Sequence, residues 1–256
     1  MKHLKEWKVF TIKKIFNNPY LPDRQVENAF ISCQISEKIE SKLKSYGITC
    51  YKTVNCENIN ISVSSHPDML FFKADNVIYV EKSNKMIIEE IAVDIKQTII
   101  IGYNFGAEQL SYPEEAALNG LFINGYLICN KKTFKPEIEN IKHIINVKQG
   151  YTKCSLCVVD EGSFITEDKG MYKALTANGF DVLYIEPGEV KLKGYDHGFI
   201  GGASGKLDKN ILAFTGDITK HSAYNKISEF VKARGIECIS LSDEPLYDYG
   251  SIIAIS

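Results

Sequence analysis

Met171-Tyr172-Lys173-Ala174-Leu175-Thr176-Ala177-Asn178-Gly179-Phe180-Asp181-Val182-Leu183-Tyr184 reads as a helix face, a stop and a strand in direct succession. Met171 and Leu175, four apart, share one helix face, and Gly179 one turn later suits the left-handed position that ends a helix. The same spacing recurs in Ile39, Leu43, Gly47, Ile48 and in Ile227, Val231, Gly235, Ile236. Strand-like runs follow, Ile48 to Tyr51 and Ile236 to Ile239. Helix–glycine–strand copies at one internal spacing predict a repeat architecture.

Hairpins precede the copies. Ser155 to Val159 turns through Asp160-Glu161-Gly162-Ser163 into Phe164-Ile165-Thr166 ahead of the quoted stretch. Gly198-Phe199-Ile200, a glycine-rich turn and Asn210 to Thr215 precede the last copy. Met69 to Phe72 turns through Ala74-Asp75-Asn76 into Val77 to Val80. Leu121-Phe122-Ile123 turns through Asn124-Gly125 into Tyr126 to Cys129, the strongest hairpin signal in the chain. Ala29 to Cys33 runs straight into the first helix with no partner before it, and Ser251 to Ile255 has none after it. If those two pair, the chain closes on itself in five strand–strand–helix–strand units, two of them poorly marked, around Ile87–Ile101 and Pro136–Val147. The expected fold is α/β, a single-domain five-bladed propeller of pseudo-fivefold repeats over residues 26–256. Residues 1–25 form an N-terminal extension, whose Leu4, Trp7, Phe10, Ile12 and Phe16 are expected to pack on the body.

Composition sets limits. A chain of 256 residues can bury a large core. Its net charge of −2 gives no basic footprint, so no nucleic acid partner is expected. No apolar run approaches the roughly 18 residues of a membrane span, and Met1 to Lys8 lacks the apolar core of a signal peptide. The seven Cys, scattered along strand-like runs, read as reduced, mostly buried thiols of a cytoplasmic protein.

Three apparent motifs fail. In Gly201-Gly202-Ala203-Ser204-Gly205-Lys206, Ile200 sits where a phosphate loop needs its first Gly, and Leu207 replaces Ser or Thr. Cys154-x-x-Cys157 has metal or redox spacing but no second pair. No G-x-S-x-G elbow occurs. No cofactor and no metal are expected.

What remains is polar chemistry just before the first strand of each hairpin, here termed its lead-in. His66-Pro67-Asp68 precedes Met69, Asn119-Gly120 precedes Leu121, and Gly150 to Cys154 precedes Ser155. Asp196-His197 precedes Gly198, and Tyr247-Asp248-Tyr249-Gly250 precedes Ser251. Asp, Asn and Gly form turns before strands anywhere. In a closed ring, however, the lead-ins converge on one cleft.

Five such units resemble the pentein fold of the guanidino-group-modifying enzymes: arginine and agmatine deiminases, dimethylarginine hydrolases and amidinotransferases. Those enzymes carry a His-x-Asp at a lead-in, and His66-Pro67-Asp68-Met69-Leu70-Phe71 is similar to it. They place a nucleophilic Cys after a glycine-rich stretch near the C-terminus; the matching Asp248-Tyr249-Gly250-Ser251-Ile252 has none, and Cys154, after Gly150, is the Cys at a lead-in. Gly150 to Gly205 resembles an uncharacterised bacterial branch of the fold.

The resemblance implies attack on a guanidinium carbon. That chemistry needs a thiolate, a proton carrier and carboxylates that grip the planar cation. Cys154 is the implied nucleophile, His66 with Asp68 the proton carrier, and His197 a second one. Asp160, Asp168, Asp196 and Asp248 are candidates for holding a small cationic guanidine-like ligand. Gly201, Gly202 and Ser204 offer donors to a carboxylate end of that ligand, and Lys206 a charge. Two functions follow: a hydrolase or amidinotransferase-like enzyme, with its catalysis retained or altered, or a non-catalytic binding module resembling the ribosome anti-association initiation factor of this fold.

Overall fold

The spacing that repeats in the sequence is a hydrogen-bonding pattern. In the computed structural model, which describes residues 15–87 and 99–256, the three copies form helices α1 (Glu37–Ser45), α2 (Lys169–Ala177) and α3 (Tyr224–Lys232). Gly47, Gly179 and Gly235 follow them at φ 81°, 85° and 69°. In each copy the residue after the glycine donates back to the carbonyl five residues earlier: Ile48 to Leu43 (3.2 Å), Phe180 to Leu175 (3.2 Å) and Ile236 to Val231 (3.3 Å). This is the Schellman closure, in which the left-handed residue lets the next N–H reach an orphan carbonyl of the last turn. The apolar pairs Ile39/Leu43, Met171/Leu175 and Ile227/Val231 are all buried. Ser36 and Asp168 cap the other ends of α1 and α2 through the Ile39 and Met171 N–H groups (3.4 and 2.8 Å).

The strands are β1 (Asn28–Ile31), β2 (Thr49–Lys52), β3 (Phe71–Ala74), β4 (Val77–Glu81), β5 (Ile99–Tyr103), β6 (Leu121–Ile123), β7 (Tyr126–Cys129) and β8 (His143–Asn146). They continue as β9 (Cys157–Val158), β10 (Ser163–Thr166), β11 (Asp181–Tyr184), β12 (Ser204–Asp208), β13 (Ile211–Phe214), β14 (Glu237–Ser240) and β15 (Ile253–Ala254). They form five three-stranded sheets: β15-β1-β2, β3-β4-β5, β6-β7-β8, β9-β10-β11 and β12-β13-β14. In every sheet the middle strand is antiparallel to the first and parallel to the third. The last strand pairs with the first, Ala29 opposite Ala254 and Phe30 opposite Ile253. This is a mixed α/β fold of small sheets and few helices.

The hairpin at Asn124-Gly125 is as expected, both residues having positive φ (51° and 84°) as a tight primed turn requires. Three readings need correction. The expected strand Gly198–Ile200 is irregular, and β12 starts at Ser204. The chain there runs too close to its neighbours for side chains, since a Cβ on Gly201 would lie 2.4 Å from the Leu156 carbonyl oxygen. The strand expected from Met69 starts at Phe71, because Pro67 opens a helical turn over Pro67–Leu70. The terminal strand is Ile253–Ala254, shorter than Ser251–Ile255. Of the poorly marked units, β5 and β8 supply the third strands, and much of Ile87–Ile101 lies outside the described residues. So do Leu4, Trp7, Phe10 and Ile12, whereas Phe16 and Tyr20 are buried in the body.

The central core collects apolar residues from several sheets, including Phe30, Phe71, Val80, Leu121, Ile128, Leu156, Phe164 and Ile253. Each fully buried side chain of this size contributes about 1.5–3 kcal/mol. First strands of neighbouring hairpins lie side by side, β3 with β6 and β12 with both β9 and β15, which brings their lead-ins to one region. Among the described residues no helix is long and apolar enough to cross a membrane.

Candidate functional site

Backbone bonds lock the lead-ins together. The Asp68 N–H donates to the Gly250 carbonyl (3.1 Å), and Ser251 N–H donates to the Gly202 carbonyl (2.7 Å). Gly202 N–H in turn donates to the Cys154 carbonyl (2.9 Å). Asn119 spans three lead-ins: its Oδ1 accepts from the Lys153 N–H (2.6 Å), and its Nδ2 donates to the Asp68 carbonyl (3.0 Å). At Gly250, with φ 75°, a Cβ would lie 2.2 Å from the Cβ of His66. Ser251 follows at φ 73°, a strained conformation for a residue with a side chain.

These ties assemble a buried polar cluster. Cys154 Sγ donates to Asp68 Oδ1 (2.9 Å) and accepts from Asn119 Nδ2 (3.2 Å). Ser251 Oγ lies 2.6 Å from Asp68 Oδ2 and accepts from Lys153 Nζ (2.8 Å). Lys153 Nζ also faces the Tyr20 ring, 4.8 Å from its centroid. A ring nitrogen of His66, a carboxylate oxygen of Asp68 and Cys154 Sγ all lie within 4.8 Å of one another. Asp248 accepts from the Phe199 and Gly250 N–H groups (3.0 and 2.9 Å). Its Oδ1 stands 3.6 Å from His66 Nδ1, beyond hydrogen-bonding distance, and that buried nitrogen has no partner.

The cluster floors a cleft of about 390 Å³, in the range of small-molecule sites. His66, Cys154 and Asp248 line it together with Asp196, His197, Gln149, Tyr112, Tyr151, Tyr195 and Phe199, and its lining contains no Lys or Arg. Tyr151 Oη bonds Glu115 and lies 3.1 Å from Tyr195 Oη, so the aromatic wall is held from behind.

Burial dominates the electrostatics. It lowers His66 to about 4, with the Asp68 charge pulling the other way, so the imidazole is neutral at pH 7. It lifts Asp248 to about 6, opposed by the two backbone N–H groups and by Lys153. Asp68 is also raised by burial, against the opposing charge of Lys153. Cys154 is pushed well above the usual thiol range, first by burial and then by the carboxylates of Asp68 and Asp248. At rest it is a thiol donating to Asp68. Beneath the glycine turn, Glu167 rises to about 8 through burial; its Oε2 accepts from the Ile200 N–H (2.7 Å), while Oε1 is buried without a partner.

The structure therefore brings Cys154, His66, His197, Asp196 and Asp248 to one cleft, with Asp68 buried behind Cys154. His197 is half-buried, with Nδ1 2.8 Å from the Gly198 carbonyl, so that nitrogen carries the proton. The remaining expected residues do not line the cleft. Asp160 holds the β9–β10 turn through the Gly162 N–H (2.9 Å) and pairs with Arg234 (3.3 Å). Asp168 is spent on the α2 cap and on Gln149 Nε2 (3.2 Å). Gly201 and Gly202 lie behind the cleft: a Cβ on Gly202 would sit 1.9 Å from Asp248 Oδ1. Ser204 Oγ donates to the Gly201 carbonyl (3.1 Å), and Lys206 Nζ is turned inward to the Val159 and Lys209 carbonyls (3.0 and 2.6 Å). Lys153, Ser251 and the tyrosines were not assigned from sequence as site residues. A Lys at a buried lead-in was the signal available for the first, and the glycine-rich stretch Asp248 to Ile252 for the second; nothing local marked the tyrosines.

Residues 30–253 match a family described as of unknown function, DUF6873, and the chain belongs to that family. No curated protein matches it in sequence. Among solved structures it is similar to an inosamine-phosphate amidinotransferase from Streptomyces griseus: TM-score 0.58, 8% identity, covering 95% of this chain and 97% of that one. It is also similar to the C. jejuni agmatine deiminase: TM-score 0.54, 12% identity, 90% of each chain. A substrate-bound form of that deiminase gives TM-score 0.51 at 12% identity, covering 90% and 91%. The fold is that of the pentein superfamily.

Proposed function

We propose that this DUF6873 protein closes its five sheets into a single five-bladed ring over residues 26–256 and binds a small guanidine- or amine-bearing cation where the lead-ins meet. The pairing of β15 with β1 and the adjacency of the first hairpin strands support the ring. The observation that carries the function is a thiol, an imidazole and a carboxylate within 4.8 Å of one another, flooring a cleft lined by Asp196 and Asp248 and by no Lys or Arg. A cation satisfies those carboxylates; a ligand carboxylate finds no cationic side chain in the lining. The ligand is therefore a decarboxylated or otherwise carboxylate-free cation, its body lying along the aromatic wall.

Turnover would use the cluster as follows. A cation beside Asp68 and Asp248 offsets the two charges that raise the Cys154 thiol, so binding favours the thiolate. Sulfur attacks the guanidinium carbon, the C–N bond to the leaving amine breaks, and the thiol proton passes to that amine through Asp68 or neutral His66. Water or a second amine then takes the carbon from sulfur, giving hydrolase or amidinotransferase chemistry respectively. One observation favours a second reading, binding without turnover: the resting sulfur is a buried thiol donating to Asp68. Free cysteines throughout the chain fit a cytoplasmic setting.

Agmatine, arginine and methylated arginines, followed by calorimetry and by ammonia or citrulline release, test this. Agmatine should bind at least about tenfold tighter than arginine, a difference of about 1.4 kcal/mol. Turnover lost in Cys154→Ser would establish the enzyme, and binding with no turnover the module. No binding of any of these cations would overturn both.

A further inference from the structure

We propose that His66, Asp68 and Cys154 form a binding site for one divalent transition metal ion of the zinc type. Among the described residues no other three His, Cys, Asp or Glu side chains bring their donor atoms so close together. All three are at least nine-tenths buried, and His66 Nδ1 is a buried nitrogen without any partner. An unpartnered imidazole nitrogen beside a thiol and a carboxylate is costly unless something joins them.

The donor set selects the ion. Calcium and magnesium take six or more oxygens, whereas a thiolate, an imidazole and one carboxylate suit Zn²⁺ or Co²⁺. In a tetrahedral site such donors stand roughly 3.3–3.8 Å apart, from metal–ligand bonds of about 2.0–2.3 Å. The 2.9 Å between Cys154 Sγ and Asp68 Oδ1 must open slightly, and the widest separation of under 4.8 Å must close by about 1 Å.

The surroundings are arranged as metal sites require. Ser251, held by Lys153, occupies Asp68 Oδ2 and leaves Oδ1 turned to the sulfur. Asn119 Nδ2 orients the sulfur by donating to it. Charges balance as well: the ion and Lys153 supply three positive charges, and Cys154 thiolate, Asp68 and Asp248 three negative ones. Binding replaces the thiol proton, which leaves to solvent, with a metal–sulfur bond. His66 and Cys154 line the cleft, so the fourth position opens into it. That is the pattern of a reactive rather than a closed structural site.

Metal ligation takes up the sulfur that turnover would use, so the two uses belong to metal-loaded and metal-free chains, and the test reads metal binding alone, with no guanidino compound present. The reduced full-length chain is titrated with Zn²⁺ in buffers of different ionisation enthalpy, and with Co²⁺ under an absorption spectrometer. The expected result is one ion per chain, about one proton released per ion, and a thiolate-to-cobalt charge-transfer band. Cys154→Ser and His66→Ala should weaken binding at least about 100-fold, while Cys238→Ser, a control on β14, leaves it unchanged. Absence of stoichiometric binding by wild type, a cobalt spectrum with no thiolate band, or full retention of metal by folded Cys154→Ser would overturn the proposal. The wild-type stoichiometry, proton count and spectrum decide the matter even if a variant fails to fold.

Discussion

The strand lead-ins and the helix exits of this protein are made of the same turn-forming residues and solve opposite problems. At the exits, Gly179 and Gly235 have nothing within 4 Å of where a Cβ would be, and their bonds close within one helical turn. At the lead-ins, Gly250 and Gly202 are pressed against His66 and Asp248, and the bonds join residues far apart in sequence. The exits repeat because each ends a helix in the same way. The lead-ins do not repeat, because each contributes a different group to one cluster. Repetition thus marks architecture, and departure from repetition at equivalent positions marks the site.

The same substitution at both places breaks or sharpens the contrast. Gly250→Ala adds the cost of a side chain at φ 75° to a clash with the His66 backbone and Cβ, and should destabilise by more than about 3 kcal/mol. Gly179→Ala, at φ 85° but in open space, should cost only about 1 kcal/mol. Urea unfolding measures both; equal costs would remove the distinction between lead-in and exit.

Asp68→Ala removes the carboxylate that Ser251 Oγ and Cys154 Sγ donate to and whose charge opposes that of buried Lys153, and should cost about 1–3 kcal/mol through the buried groups it leaves unpaired. A neutral result would mean that Lys153 is satisfied by the Gly201 carbonyl and Ser251 alone.

Glu167 gives a pH signature that the exits lack. Its folded pKa, about 8, exceeds its ordinary value, so the folded state holds a proton that the unfolded chain releases. The stability this contributes is full below about pH 4.5 and is lost as pH rises through about 8. Glu167→Gln escapes that loss, so its stability relative to wild type should grow across the window by up to about 5 kcal/mol. A pH-independent difference would contradict the assignment.

What was legible in the sequence follows the same division. The Schellman closures span five residues, the Asn124-Gly125 hairpin two, and each is written in local residue types. The pairing of the last strand with the first was legible because the apolar runs Ala29 to Cys33 and Ser251 to Ile255 each lacked a hairpin partner. The cluster was only half legible: His66, Asp68, Cys154 and Asp248 stood out as reactive types at lead-ins. Asp160, Asp168 and Lys206 are equally reactive types, yet local turns, a helix cap and backbone carbonyls use them up. Lys153 meets Ser251 across 98 residues and Asp68 meets Ser251 across 183, separations no local pattern encodes.

The most direct test of the lead-ins as a cation site is a calorimetric titration of agmatine into wild type and Asp248→Asn at pH 7.5 and pH 5. Asp248, at about 6, is charged at the higher pH and protonated at the lower. Wild-type affinity should therefore fall at least about fivefold on acidification, since the fraction ionised drops about tenfold per pH unit below the pKa. Asp248→Asn should bind weakly at both values. Agmatine binding that is indifferent to pH and to Asp248→Asn, or absent at pH 7.5, would contradict the account.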